Sequence, residues 1–170
     1  FINYYDEQRF GKPGSCHNTH LVGKYILEGN WKKAYRELLI SGNLKENSQT
    51  TDHKDTILNK IGIKERDFYI SSYDSFLWNQ ELNNIIKRAG RIKTVSLPFL
   101  GKLSFPKNQD LCPTNFLTTK SYEYCWATEK VLTKTKTRPV QITVAAYLLK
   151  DEKDKIFQDK RALTISFVLP

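Results

Sequence analysis

The densest concentration of chemically useful side chains lies at the start of the chain, in Asn3-Tyr4-Tyr5-Asp6-Glu7-Gln8-Arg9-Phe10-Gly11. One short run places aromatic rings beside amides, a guanidinium and two carboxylates, just ahead of a glycine. A guanidinium of this kind pairs with phosphate or carboxylate. An edge strand with its aromatics inward and its charges in water would show the same composition. Two basic groups stand further along. Lys87, Arg88, Arg91 and Lys93 surround the end of a long helical pattern, where cations are favoured whatever the function. Lys130, Lys134, Lys136 and Arg138 alternate with threonines ahead of the final strands. Contacts of such residues with phosphate hold and orient a nucleic acid without reading its sequence.

Other constellations are poorer. Cys16-His17-x-x-His20, with Cys112 and Cys125, supplies zinc-ligand types at a spacing that fits no usual finger or ribbon, so no metal site is expected. His53 has no organised serine or cysteine beside it. No P-loop or GxGxxG run is present.

The 170 residues carry 27 Lys and Arg against 18 Asp and Glu, a net charge of +9, which suits a polyanionic partner. Nine Phe, nine Tyr and three Trp supply enough apolar area for a core and argue against disorder. Three cysteines at irregular spacing argue against a disulfide framework and fit a reducing compartment. No apolar run reaches the roughly 20 residues that span a bilayer, so a cytoplasmic protein with no membrane partner is expected.

The elements that must position these residues follow from periodicity. The opening run reads as a strand or extended arm that ends in a Lys-Pro-Gly turn at 12–14. Leu21, Val22, Tyr25 and Ile26 predict a helix from about His17 to Gly29. Asn30 is placed to cap a second, with Trp31, Ala34, Tyr35, Leu38 and Leu39, that Gly42-Asn43 ends. Residues 44–56 read as loop, followed by a short helix to Ile61. A stripe of Phe68, Tyr69, Tyr73, Phe76, Leu77, Leu82, Ile85 and Ile86 predicts a long helix from about Glu65 to Ala89 that Gly90 terminates. Prolines at 98, 106 and 113 break the next stretch into short strands. Val140 to Leu148 and Leu163 to Leu169 alternate with period two, and predict antiparallel strands joined by a turn at the Asp-Glu-Lys-Asp-Lys of 151–155.

Taken with its surroundings, NYYDEQRFG resembles the N-x-F/Y-G-x-Q-R-F-G motif of the TruD family of tRNA pseudouridine synthases. The order of the other features agrees: a Gly23-containing helix, the Asn30-Trp31-x-x-Ala34 helix opening, and Tyr69–Asn79 (YISSYDSFLWN), similar to the family's Y-x-x-A-x-x-S-x-L-F-N helix. Leu163 to Pro170 is like the strand that leads into the family's Gly-x-Tyr-Ala-Thr segment. Asp6 stands where the family usually has glycine.

The resemblance implies an α+β protein: a sheet-containing pseudouridine-synthase catalytic domain, here partial, with an inserted, largely helical TruD-specific domain. Residues 1–30 and 137–170 would belong to the catalytic domain and 31–136 to the insertion. It implies isomerisation of a uridine in tRNA, with no metal and no cofactor. The nucleophilic aspartate is expected upstream of Phe1, and no catalytic residue within this stretch. Tyr5 would stack on the target base; Asn3, Gln8, Arg9, Phe10 and Gly11 would support the site; the two basic groups would bind tRNA. A non-catalytic RNA-binding protein with the same fold is the alternative. Oligomeric state is not legible.

Overall fold

The computed structural model describes residues 2–11, 16–45, 52–90, 92–97, 101–107, 114–141, 146–153 and 161–168. The chain is α+β. A single 3-10 turn, Glu7–Arg9, precedes helices α1 (Thr19–Leu27), α2 (Trp31–Ile40), α3 (His53–Lys60) and α4 (Ile63–Arg88). Antiparallel hairpins follow: β1 (Ile92–Leu97) with β2 (Gly101–Pro106), β3 (Phe116–Cys125) with β4 (Lys130–Pro139), and β5 (Ala146–Lys153) with β6 (Arg161–Val168). The chain divides into two compact units, Tyr4–Val140 and a smaller one of Phe1–Asn3 with Gln141–Pro170.

The helix boundaries fall where local chemistry dictates. The Asn30 side chain accepts the Lys33 N–H at 3.2 Å, satisfying one of the donors that a helix start leaves open. Gly42 adopts φ +72° just past α2, and Gly90 does the same past α4, conformations that a side chain would strain. The helix α3 starts earlier than its apolar pattern shows, because Asp52 accepts the N–H groups of Lys54 and Asp55 and opens the helix within a polar run.

The larger unit is built around Val22, Ile26, Ala34, Leu38, Ile57, Tyr69 and Ile70, contributed by all four helices. Tyr124 of β3 seals this core, and the helix α4 also packs along β3. Trp126 extends that contact: its indole N–H donates to Asp67 at 2.7 Å, and the Arg66 guanidinium lies 4.2 Å from its ring centroid. Trp78, Leu82 and Ile86 carry the buried side of α4 toward β2.

Three expectations change. The opening run forms no strand: it is irregular chain leading into the 3-10 turn, with one isolated bridge between Ile2 and Gln141. The buried face of α4 is not the purely apolar stripe, since Phe68 is exposed and Ser72, Ser75 and Asn79 are buried instead. The described part of the terminal ladder runs from Ala146 through Asp151-Glu152-Lys153, paired with Leu163, Ala162 and Arg161. Backbone ladder bonds are indifferent to side-chain polarity, so the acidic-basic run extends the strand rather than turning it. Ile142 and Val144 lie outside the described residues.

Candidate nucleic-acid interface

Ser72, Ser75 and Asn79 stand three and four residues apart, so they share one face of α4. That face receives the opening run. Asn79 grips the backbone of Tyr5 from both sides: its Oδ1 accepts the Tyr5 N–H at 2.8 Å and its Nδ2 donates to the Tyr5 carbonyl at 2.8 Å. Ser72 donates its hydroxyl to the Arg9 carbonyl at 2.8 Å. Ser75 Oγ and Ser71 Oγ accept from the Arg9 guanidinium at 3.2 and 2.7 Å. A segment without ladder or helix bonds must satisfy its backbone elsewhere, and here a polar helix face does so.

The turn itself is closed by Asp6, whose carboxylate accepts the Gln8 N–H at 2.6 Å and whose carbonyl accepts the Arg9 N–H at 3.2 Å. This is the self-bonding that short acidic side chains make in turns. Phe10 is fully buried, edge-on to the rings of His20 and Phe76, and its carbonyl accepts the Thr19 N–H at the start of α1. Tyr4 donates its hydroxyl to the Ser104 carbonyl on β2 at 2.9 Å. The run is thus pinned along α4 with the Tyr5 ring half-buried, and the Arg138 guanidinium lies 4.0 Å from that ring's centroid.

The residues expected at a site separate into groups. Tyr5, Arg9 and Phe10 are brought together on α4. Gln8 is exposed and contributes its backbone N–H to the turn. Gly11 lines a cleft with Thr19, Gly42, Glu65 and Tyr69. Asn3 is buried and belongs to the smaller compact unit. Lys87 and Arg88 are exposed in the last turn of α4, Lys93 is exposed on β1, and Arg91 lies outside the described residues. Lys130, Lys134 and Lys136 are exposed on β4, and Lys134 is paired with Glu123 across the hairpin. Arg138, grouped with them by sequence, is instead turned onto Tyr5 and Trp78.

Sequence reasoning assigned no role to Asn79, Ser71, Ser72, Ser75 or Asp74. Two signals were available: Ser72, Ser75 and Asn79 repeat at helical period, and Ser75 and Asn79 fall on the serine and asparagine of the helix motif that Tyr69–Asn79 resembles.

Two titratable groups anchor the surroundings. Burial pushes the Asp74 carboxyl up to about 6, although the Tyr122 N–H, donated to both its oxygens at 3.0 and 3.2 Å, and the charges of Lys136 and Arg9 act the other way. Burial beside Phe10 and Phe76 pushes the His20 imidazole down to about 4. The signs oppose each other. Asp74, with its folded pKa raised, contributes stability that is full below about 4 and is lost as pH rises through about 6. His20, with its folded pKa lowered, contributes stability that is full above 6.5 and is lost as pH falls through about 4. Asp74→Asn is therefore expected to steepen the loss of stability on acidification between pH 6.5 and 4, and His20→Gln to flatten or reverse it. Urea-unfolding midpoints of both variants, compared with the parent across that range, check the prediction.

Among the described residues no group of three or more His, Cys, Asp or Glu side chains is placed to hold a metal ion, and no helix is long and apolar enough to cross a membrane. The larger unit is thus an α+β scaffold that presents an aromatic ring beneath a guanidinium, next to an exposed basic strand. Surfaces of this class meet the flat bases and charged backbone of nucleic acids.

Comparison with known proteins specifies the class. Residues 1–67, which include the whole NYYDEQRFG run, match the family model for tRNA pseudouridine synthase D (TruD). "Probable tRNA pseudouridine synthase D 1" of Methanococcus maripaludis is 30% identical over 125 residues, a match that covers 50% of this chain and 31% of that protein. No solved structure matches the chain. Both matches are to TruD proteins, and the chain spans about a third of the length of that curated relative.

Proposed function

We propose that the complete protein isomerises a uridine of tRNA to pseudouridine, detaching the base from ribose C1′, rotating it and rejoining it through carbon. The observation that carries this reading is the family match over residues 1–67 together with the fixed presentation of Tyr5 inside it. A base taken out of its stack loses its neighbours' π-faces, and a protein ring restores part of that energy. In this reading Tyr5 supplies the ring, and Arg9 and Phe10 hold the turn that carries it. Asn3, Gln8 and Gly11 complete the support of the site, and the nucleophilic aspartate lies elsewhere in the protein.

The exposed basic residues Lys87, Arg88, Lys93, Lys130, Lys134 and Lys136, with Arg91, contact tRNA phosphates. Residues 31–136 act as the family's insertion, flanked by catalytic-domain segments 1–30 and 137–170. The reaction takes place in the cytoplasm.

Rejoining through carbon releases the hydrogen at uridine C5, so the test is tritium release from tRNA carrying [5-³H]uridine. Release by the complete protein is expected, with loss when the upstream nucleophilic aspartate is replaced. Tight tRNA binding with no release would instead identify a non-catalytic RNA-binding protein, and release that survives the aspartate's removal would refute the mechanism.

A further inference from the structure

Asn79 fixes the backbone of Tyr5 but leaves its side chain free to rotate about two bonds. No hydrogen bond to the Tyr5 hydroxyl is present among the described residues, so something else must set the plane of the ring. Arg138, the penultimate residue of β4, is placed to do this. Its guanidinium carbon lies 4.0 Å from the Tyr5 centroid and 5.1 Å from the Trp78 centroid, both within the about 6 Å over which a cation is drawn to a ring. Arg9 is also near Tyr5, at 5.9 Å, but its guanidinium is engaged by Ser71 and Ser75 and sits 4.9 Å from the Phe68 ring. Arg138 comes from a strand otherwise exposed along its length, and its own side chain is half-buried. It leaves the row of lysines with which it alternates.

We propose that Arg138 is a positioning residue for Tyr5. It presets the ring's orientation from above while Asn79 fixes the main chain below, so that an extruded base meets a platform already in place. This rests on the reading that Tyr5 stacks on the target base. A guanidinium suits the task because it is flat, permanently charged and weakly hydrated; an ammonium keeps the charge but cannot lie face-to-face on a ring. The role differs from that of a phosphate contact, which any cation of similar reach fills.

The two roles separate experimentally in the complete protein carrying Arg138→Lys or Arg138→Gln, with tRNA affinity measured across a salt series and tritium release measured under single turnover. The parent's release comes first: if it is absent, both the functional reading and this one fall. With the parent active, positioning predicts that both variants lose about five-fold or more in the single-turnover rate, and no more than Tyr5→Ala loses, as expected when a reacting geometry is loosened. Affinity stays within about two-fold and its salt slope is unchanged, because no phosphate contact has been removed. In a Tyr5→Ala background, Arg138→Gln adds no further loss, because the ring it positions has gone. The proposal is overturned if Arg138→Lys turns over at the parent rate. It is equally overturned if Arg138→Gln lowers the salt slope by about one while sparing the rate, which is the behaviour of a phosphate contact.

Discussion

Gly23→Ala is expected to cost the protein about 3 kcal/mol or more and to lower its unfolding temperature by roughly 10 °C or more. Gly23 lies in the middle of α1, where alanine would ordinarily stabilise the helix by about 1 kcal/mol. What opposes that gain is the closeness of α4. A Cβ on Gly23 would lie 2.5 Å from the carbonyl carbon of Tyr69 and 2.9 Å from the nitrogen of Ile70, and nearer still to the Tyr69 carbonyl oxygen. All three are main-chain atoms in a helix interior, so no side chain can rotate away, and the two helices must separate. Separation would pull Val22 and Ile26 away from Tyr69 and Ile70, the centre of the core. Gly62→Ala provides the contrast: a Cβ there meets open space, and the change is expected to cost no more than the about 1 kcal/mol that a cap position is worth. Thermal unfolding of the two variants followed by circular dichroism should separate them clearly. A Gly23→Ala protein as stable as its parent would mean that α1 and α4 do not cross this closely.

The same crossing shows what could be read from the residues alone. Helix ends were legible because their causes are local: Asn30 caps α2 with its own side chain, and Gly42 and Gly90 adopt the positive φ that ends a helix. The second strand of the closing hairpin was legible for a similar reason, since period-two alternation marks strands, whereas the first runs on through the charged residues read as a turn. The interior of the candidate site was not. Ser72 and Ser75 look like the solvated side of a helix, and only the arrival of a segment sixty residues earlier in the chain makes them buried partners of Arg9. Phe68 is the reverse case. It fits the apolar stripe by spacing but stays exposed, with the Arg9 guanidinium lying over its ring. Arg138 shows the limit most clearly: it continues a Lys-Thr alternation without interruption, and nothing local distinguishes it from the three lysines before it. Its place against Tyr5 depends on where β4 ends, a consequence of tertiary packing.

If the complete protein has the proposed function, replacing Tyr5 by alanine should affect catalysis far more than binding. The expected result is a fall in the single-turnover rate of about 5- to 150-fold, the equivalent of the about 1 to 3 kcal/mol that base–aromatic stacking is worth. The change in tRNA affinity should stay within a few-fold. The asymmetry follows from how the energy is distributed. A tRNA is held mainly through phosphates, by many cations spread over a surface, and one ring is a small fraction of that sum. Under the proposed function an extruded base would gain the ring only once it had left its stack, so the interaction would favour the reacting arrangement over the merely bound one. The fold should tolerate the change, because Asn79 holds residue 5 by its main-chain N–H and carbonyl, which alanine retains. Tyr5→Phe supplies the internal check. It keeps the π-face and loses only a hydroxyl that makes no hydrogen bond among the described residues, so it should turn over within about two-fold of the parent if stacking is the ring's contribution. A Tyr5→Phe protein as slow as Tyr5→Ala would assign the work to the hydroxyl, and a Tyr5→Ala protein at full rate would remove this ring from the reaction altogether.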